Sequence, residues 1–204
     1  MDKNLFSACK YGELEKVKEY LDKKNVDVTD DAFGYTPLMN ASRHDNLEIV
    51  RFLINSGADM EKKCTNGGTP LIIASKYGNV IIMKELLNSG ADIENLDNYG
   101  WTALMHACTG LKEVAVWELL DRGANINHKS ATLGETPLIA ACLYHRKNDI
   151  IKELLHRGAS PYEEDKHGRI FLDYYMDDPW EQRRKKEIEE YMLGLSIDFK
   201  AAKR

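Results

Sequence analysis

The sequence predicts an all-α repeat solenoid, about six stacked helix–turn–helix units long, and three observations lead there. First, GYTPLMNAS begins at Gly34, GGTPLIIAS at Gly67, GWTALMHAC at Gly100, GETPLIAAC at Gly134 and a degenerate GRIFLDYY at Gly168, at steps of 33, 33, 34 and 34 residues. Second, another marker keeps the same beat: SGAD around Gly57 and Gly90, RGAN around Gly123 and RGAS around Gly158. Third, the residues between the markers are apolar at helical spacing, as in Leu47, Val50 and Ile54, or Val80, Met83 and Leu87. A unit of this length buries its apolar face only against its neighbours, so repetition is itself a statement about the fold.

The elements follow in chain order. Leu5–Asp27 fits an opening unit without the Thr-Pro start, with Asn25 expected in the place of the closing glycine because Asn tolerates the left-handed region. In the regular units Thr36, Thr69, Thr102 and Thr136 are expected to cap a short first helix, and Pro37, Pro70 and Pro137 to sit at its first position, where the missing N–H costs nothing. That helix packs through Leu38, Leu71, Leu104 and Leu138, with Ala41, Ala74, Ala107 and Ala141 letting neighbours approach closely. A second helix ends at Gly57, Gly90, Gly123 or Gly158, each at a position suited to a left-handed C′ residue. The link onward closes in turns such as Asp31–Gly34 and Asp97–Gly100, with Asp first and Gly fourth as type I turns prefer.

The chain resembles the ankyrin repeat family over nearly its whole length, in the TP-L…A opening, the paired leucines of the second helix and the GAD that follows. The resemblance implies helix–turn–helix layers with β-hairpin finger loops along one edge. The family's usual His after TPL is replaced by Met39, Ile72, Met105 and Ile139. One ankyrin repeat domain over residues 1–204 is expected, with repeats at 4–33, 34–66, 67–99, 100–133, 134–167 and 168–199. The last is atypical: Ile170 and Phe171 replace Thr and Pro, and a longer charged helix is expected over Trp180–Leu193. Atypical end units and an early Met1 read as a complete solenoid. Ala124–Gly134 is one residue longer than its counterpart, and an extra residue is expected within HRKND between the helices of the fifth unit, through drift or a partner contact.

Composition narrows the function. The 204 residues carry 28 Lys and Arg against 33 Asp and Glu, a net charge of −5, and 43% are hydrophobic. No apolar run spans a bilayer and no secretory signal is visible, so an intracellular, cytoplasmic place is expected, with neither membrane nor nucleic acid as partner. Cys9, Cys108 and Cys142 share one small-residue position with Ser42 and Ser75 and are expected as free core thiols; Cys64 is expected exposed in a finger. His44, His106, His128, His145, His156 and His167 are scattered through different layers, without HExxH or CxxC, so no metal is expected. No phosphate-binding loop and no catalytic constellation is present; neither enzyme activity nor a cofactor is expected. The run Arg183–Lys186 is followed by Glu187, Glu189 and Glu190, which reads as a solvated helix face, with a targeting role as the alternative.

Function then falls to surfaces the stack does not use. Phe33, Tyr35, Tyr99 and Trp101 at finger tips, and Tyr11, Tyr77 and Tyr144 at first-helix ends, are large rings that the framework does not require. They read either as partner anchors or as shields lying back along the fingers. With Arg43, Lys76, His106, Glu135 and Arg169, the rings other than Tyr11 form the expected partner-binding set, Trp101 and Tyr99 foremost and Tyr77 beside them. Trp117 and Trp180 are expected as core or capping residues. The leading expectation is a protein–protein interaction module, monomeric on its own, acting as adaptor, inhibitor or scaffold. The alternative is a regulatory or targeting domain of a larger enzyme or complex, including a microbial effector acting on host proteins.

Overall fold

Thr-Pro pairs open the first helices as their chemistry dictates. In the computed structural model, which describes residues 3–21, 25–30, 32–110, 112–143, 148–174 and 179–197, Thr36 is extended (φ −79°, ψ 165°) and its hydroxyl accepts from the Met39 amide at 3.2 Å, with Pro37 at the first position. Thr69 and Thr136 accept likewise from Ile72 and Ile139. The first helices are α1 (Lys3–Tyr11), α3 (Pro37–Arg43), α5 (Pro70–Tyr77), α7 (Ala103–Thr109) and α9 (Pro137–Leu143). Their partners are α2 (Leu14–Leu21), α4 (Leu47–Asn55), α6 (Val80–Asn88), α8 (Glu113–Asp121) and α10 (Asn148–His156). In the last repeat the first helix shrinks to a 3-10 turn, Phe171–Tyr174, before α11 (Pro179–Gly194). The fold is an all-α repeat solenoid of five helix pairs and a degenerate sixth.

The chain divides into two compact units, residues 1–103 and 104–204. In the first, α1, α3 and α5 pack in sequence, as do α2, α4 and α6. In the second, α9 packs on α10 and on the 3-10 turn, while α10 touches both α8 and α11. First helices lie inside the stack, and Pro37–Ser42 and Pro70–Ser75 are buried throughout. Second helices bury one face, centred on Ile49, Val50 and Leu53, or on Ile82, Met83 and Leu86. Leu47, Ile54, Val80 and Leu87 lie half-buried at its edges. Each fully buried aliphatic side chain contributes about 1.5–3 kcal/mol.

The layers are also tied by a device not read from the sequence. Asn46, just before α4, donates its side-chain amide to the Cys9 and Lys10 carbonyls at 2.7 and 3.0 Å. Asn79 does the same, at the same distances, for Ser42 and Arg43. Each satisfies carbonyls that the C-terminus of the previous first helix would leave unpaired. The second helices end as expected, with Gly57 at φ 81° and bonds from Gly57 to Ile54 and from Ala58 to Leu53.

Several expectations need correction. There is no strand among the described residues, so the β-hairpin fingers are not present as sheet. The fingers are tight turns held by backbone bonds such as Asp97 N to Trp101 O and Gly100 N to Asp97 O, both at 3.0 Å, and the returning arm runs directly into the next helix cap, leaving no length for a ladder. Asn25 does not replace the C′ glycine. Its side chain accepts from the Asp27 amide, as Asp59 accepts from Glu61 and Asp92 from Glu94, so Asn25 holds the Asp position of the GAD marker. Cys64 is buried, its thiol donating to Asn66 Oδ1 at 2.7 Å. Trp117 is 39% exposed and no core residue, because the buried face of α8 is Ala115, Val116 and Leu119. The extra residue of Ala124–Gly134 lies in the finger Ser130–Glu135, whose closing bond spans one position more than that of Asp97–Trp101. The turn beginning at Asp31, most of the HRKND insertion and the side chain of Trp180 lie outside the described residues.

Candidate functional site

In the first unit the fingers supply a frame for exposed rings. Asp30 Oδ1 accepts from the amides of Phe33 and Tyr35, and Asp97 Oδ1 from those of Tyr99 and Trp101. These Asx-type turns hold the following tip in one conformation. Adjacent fingers are then stitched together: Thr65 N donates to Phe33 O at 2.9 Å, Asn98 N to Asn66 O at 3.1 Å, and Asn98 Nδ2 to Thr65 O at 3.0 Å. Gly67 permits this approach, since a Cβ there would lie 2.4 Å from Asn98 N.

The stitched fingers enclose a cleft of about 290 Å³ lined by Ala32, Phe33, Tyr35, Thr65, Asn66, Asn98 and Tyr99. Phe33 and Tyr99 are 58% and 60% exposed. Tyr35 is half-buried, resting on the small core of Met39, Cys64 and Ile73, and its ring lies 5.7 Å from that of Phe33. Burial raises the Tyr35 phenol above its usual range, so it stays protonated as a hydroxyl donor. Apolar ring faces beside amide groups and a hydroxyl form a surface for a polypeptide, whose backbone needs both.

A second group adjoins through Tyr35. The Arg43 guanidinium at the end of α3 sits 5.9 Å from the Tyr35 ring centre and 5.1 Å from that of Tyr77, a cation shared by two rings. Lys10 lies 5.1 Å over Tyr11 at the end of α1. Lys10 was not singled out from the sequence, although it stands one repeat before Arg43, which stands one repeat before Lys76.

The expected residues thus separate. Phe33, Tyr35 and Tyr99 share the cleft; Arg43 and Tyr77 join it through Tyr35. Lys76 is exposed in the last turn of α5. Trp101 is half-buried and does not line the cleft, and Tyr77 is stacked on Arg43. In the second unit His106 is half-buried on α7. Glu135 is 4% exposed, with its carboxylate bonded to the Ser130 hydroxyl. Arg169 pairs with Asp165 through Nε and Nη2 at 2.9 and 2.7 Å and lies over the Tyr174 ring, which ties it to its own finger. Tyr144 lies outside the described residues.

The rest of the surface carries little chemistry. All four cysteines are free and buried, and burial pushes the Cys9 thiol up to about 12 and Cys108 higher still, far from the thiolate needed for reactivity. Among the described residues no group of three or more His, Cys, Asp or Glu could hold a metal ion. No described helix is long and apolar enough to cross a membrane. In the run 183–186, Lys186 faces Glu190 on the exposed helix surface, and Glu187 is held by Lys152 and Asn148.

Comparison with known proteins bears on this geometry. The family model described as ankyrin repeats (3 copies) matches residues 5–97 and 82–165. The mouse Ankyrin repeat and SAM domain-containing protein 6 is 39% identical over 64 residues, 31% of this chain and 7% of that protein. The mouse 2-5A-dependent ribonuclease is 36% identical over 67 residues, 32% of this chain and 9% of that protein. Alpha-latrocrustotoxin-Lt1a of Latrodectus tredecimguttatus is 35% identical over 63 residues, 30% of this chain and 4% of that protein. The chain therefore spans less than a tenth of the length of these curated relatives.

Proposed function

The chain belongs to the ankyrin repeat family, and on that premise we propose that it binds a partner protein through the aromatic cleft between the fingers of residues 1–103. Members of the family serve as protein–protein interaction modules on a non-catalytic scaffold. The observation that carries the finer reading is the trio Phe33, Tyr35 and Tyr99 around one cleft, two of them more than half exposed. Phe33 and Tyr99 leave most of their ring surface in water instead of in the helix stack, and exposed rings are the usual anchors of a protein interface. The fingers are held by Asp30, Asp97 and the cross-finger bonds, so little ordering entropy opposes binding. Tyr99 and Phe33 take the anchoring part here, and Trp101, half-buried, supports the finger.

The test pairs Phe33→Ala with Tyr99→Ala. Partners captured from the native cell by the unaltered chain are identified by mass spectrometry, and the affinity of the recovered partner is then measured. Each substitution should weaken binding by about tenfold or more with an unchanged denaturation midpoint. Trp101→Ala should instead lower stability and affect binding less. A double variant of Phe33 and Tyr99 that binds at full strength would remove this cleft as the site.

A second reading, in which the repeats form a regulatory or targeting segment within a larger protein, is favoured by the length of the relatives, of which this chain matches less than a tenth. The same cleft would then hold an internal or external partner, and a partner found on the same polypeptide would distinguish the two.

A further inference from the structure

One repeat position at the end of the first helices is basic in three consecutive layers: Lys10 on α1, Arg43 on α3 and Lys76 on α5. These helices pack one against the next, so the three charges form a row across the layers at about 10 Å per step. Elsewhere in this unit Lys16, Lys18 and Arg51 are each paired with a glutamate. No member of the row is in an ion pair among the described residues, and Asp45 in the following turn makes none with them. Burial, and after it the neighbouring charges of Arg43 and Lys10, lower the pKa of His44 below the usual range. The chain as a whole carries −5, so this is a local reversal of sign.

We propose that the row Lys10–Arg43–Lys76 docks an extended acidic segment of a partner protein, with carboxylates about three residues apart. The inference rests on the interaction reading above and names the chemistry of the partner. A segment in the extended polyproline II form has three residues per turn and rises about 3.1 Å per residue, so every third side chain lies on one face at a step of about 9 Å, close to the spacing of the layers. Arg43 lies over the Tyr35 and Tyr77 rings, and a guanidinium has five N–H donors, enough to meet a carboxylate as well as the rings. Tyr35 also joins the row to the cleft, which gives the segment apolar anchorage at one side. A single-stranded nucleic acid fits less well. Three cations are a short track for a backbone of phosphates, and a longer polyanion would run onto the acidic remainder of the molecule.

The test uses the full chain and a labelled ten-residue peptide with Glu at its second, fifth and eighth positions among Ala, Gly and Ser. Its controls are an isomer with the three Glu adjacent and a ten-nucleotide oligouridylate. Fluorescence anisotropy should show the spaced peptide binding at least about fivefold tighter than the isomer, and weakening as salt rises. Reversal of the exposed pair, Lys10→Glu with Lys76→Glu, should weaken it by about tenfold or more at an unchanged melting temperature. Arg43→Gln, which removes the charge with less disturbance of the rings, should weaken it as well. No detectable binding of the spaced peptide, equal binding of the isomer, indifference to charge reversal, or tighter binding of the oligouridylate would each overturn the proposal. If the peptide fails while Phe33→Ala and Tyr99→Ala still weaken the captured partner, the interaction reading stands and only the acidic segment falls. If neither set of variants matters, both readings fail.

Discussion

Gly67 and Gly57 have nearly the same backbone, φ +83° and +81°, in different surroundings. An Ala at Gly57 meets nothing within 4 Å, so it bears only the cost of a left-handed L-residue, about 1–2 kcal/mol. At Gly67 the same Cβ would lie 2.4 Å from Asn98 N, 2.5 Å from Asn98 Oδ1 and 2.9 Å from the Asp97 carbonyl carbon. Two of these contacts are backbone, so the fingers must separate. The bonds Asn98 N to Asn66 O and Asn98 Nδ2 to Thr65 O would then be lost, at about 1 kcal/mol each. Gly67→Ala should therefore cost about 3–4 kcal/mol and Gly57→Ala about 1–2. Urea unfolding followed by circular dichroism reads the difference: with a slope of about 2 kcal/mol per molar, the two midpoints should differ by about 1 M. Midpoints within about 0.2 M of each other would refute the close-packed fingers, and with them the frame of the cleft.

Other consequences follow from groups inside the repeats. Asp165 has a buried side chain; burial raises its pKa, but bonds from Tyr174, from the Arg169 amide and side chain and from the His167 amide outweigh that and hold it well below the usual carboxylate range. A depressed carboxylate contributes stability that is complete above its unfolded pKa near ~4 and is lost as the pH falls through the folded value. Asp165→Asn should cost about 3 kcal/mol at pH 7, and the gap to the unaltered protein should close below about pH 4; a gap independent of pH would show that the charge is not the cause. Asn40 is buried with its Nδ2 lacking a partner among the described residues, where other repeats carry Ile73 or Ala140. Asn40→Ala should therefore stabilise by about 1 kcal/mol in the same urea assay, and a loss of stability would mean that the amide is satisfied.

The repeat length, the helix pairs and their caps were legible in the sequence because they are local. Thr36 and Pro37 dictate a helix start through their own dihedrals and hydrogen bonds, and Gly57 ends a helix for reasons confined to one turn. Thirty-three residues between copies then required that the units stack. What the sequence could not reveal is set between layers. Asn46 and Asn79 cap helices about 36 residues earlier, and nothing in their local sequence distinguishes them from surface asparagines. Cys64 was expected in solvent because it sits in a finger, yet the next layer and Tyr35 cover it. That Ser130 and Asp165 hold Glu135 and Arg169 is likewise invisible in the chain on either side of them. Trp101 and Tyr99 flank one glycine and are alike in sequence, but only Tyr99 lines the cleft. Burial is a property of the distance to neighbouring layers, and that distance is decided by packing, not by the residues on either side in the chain.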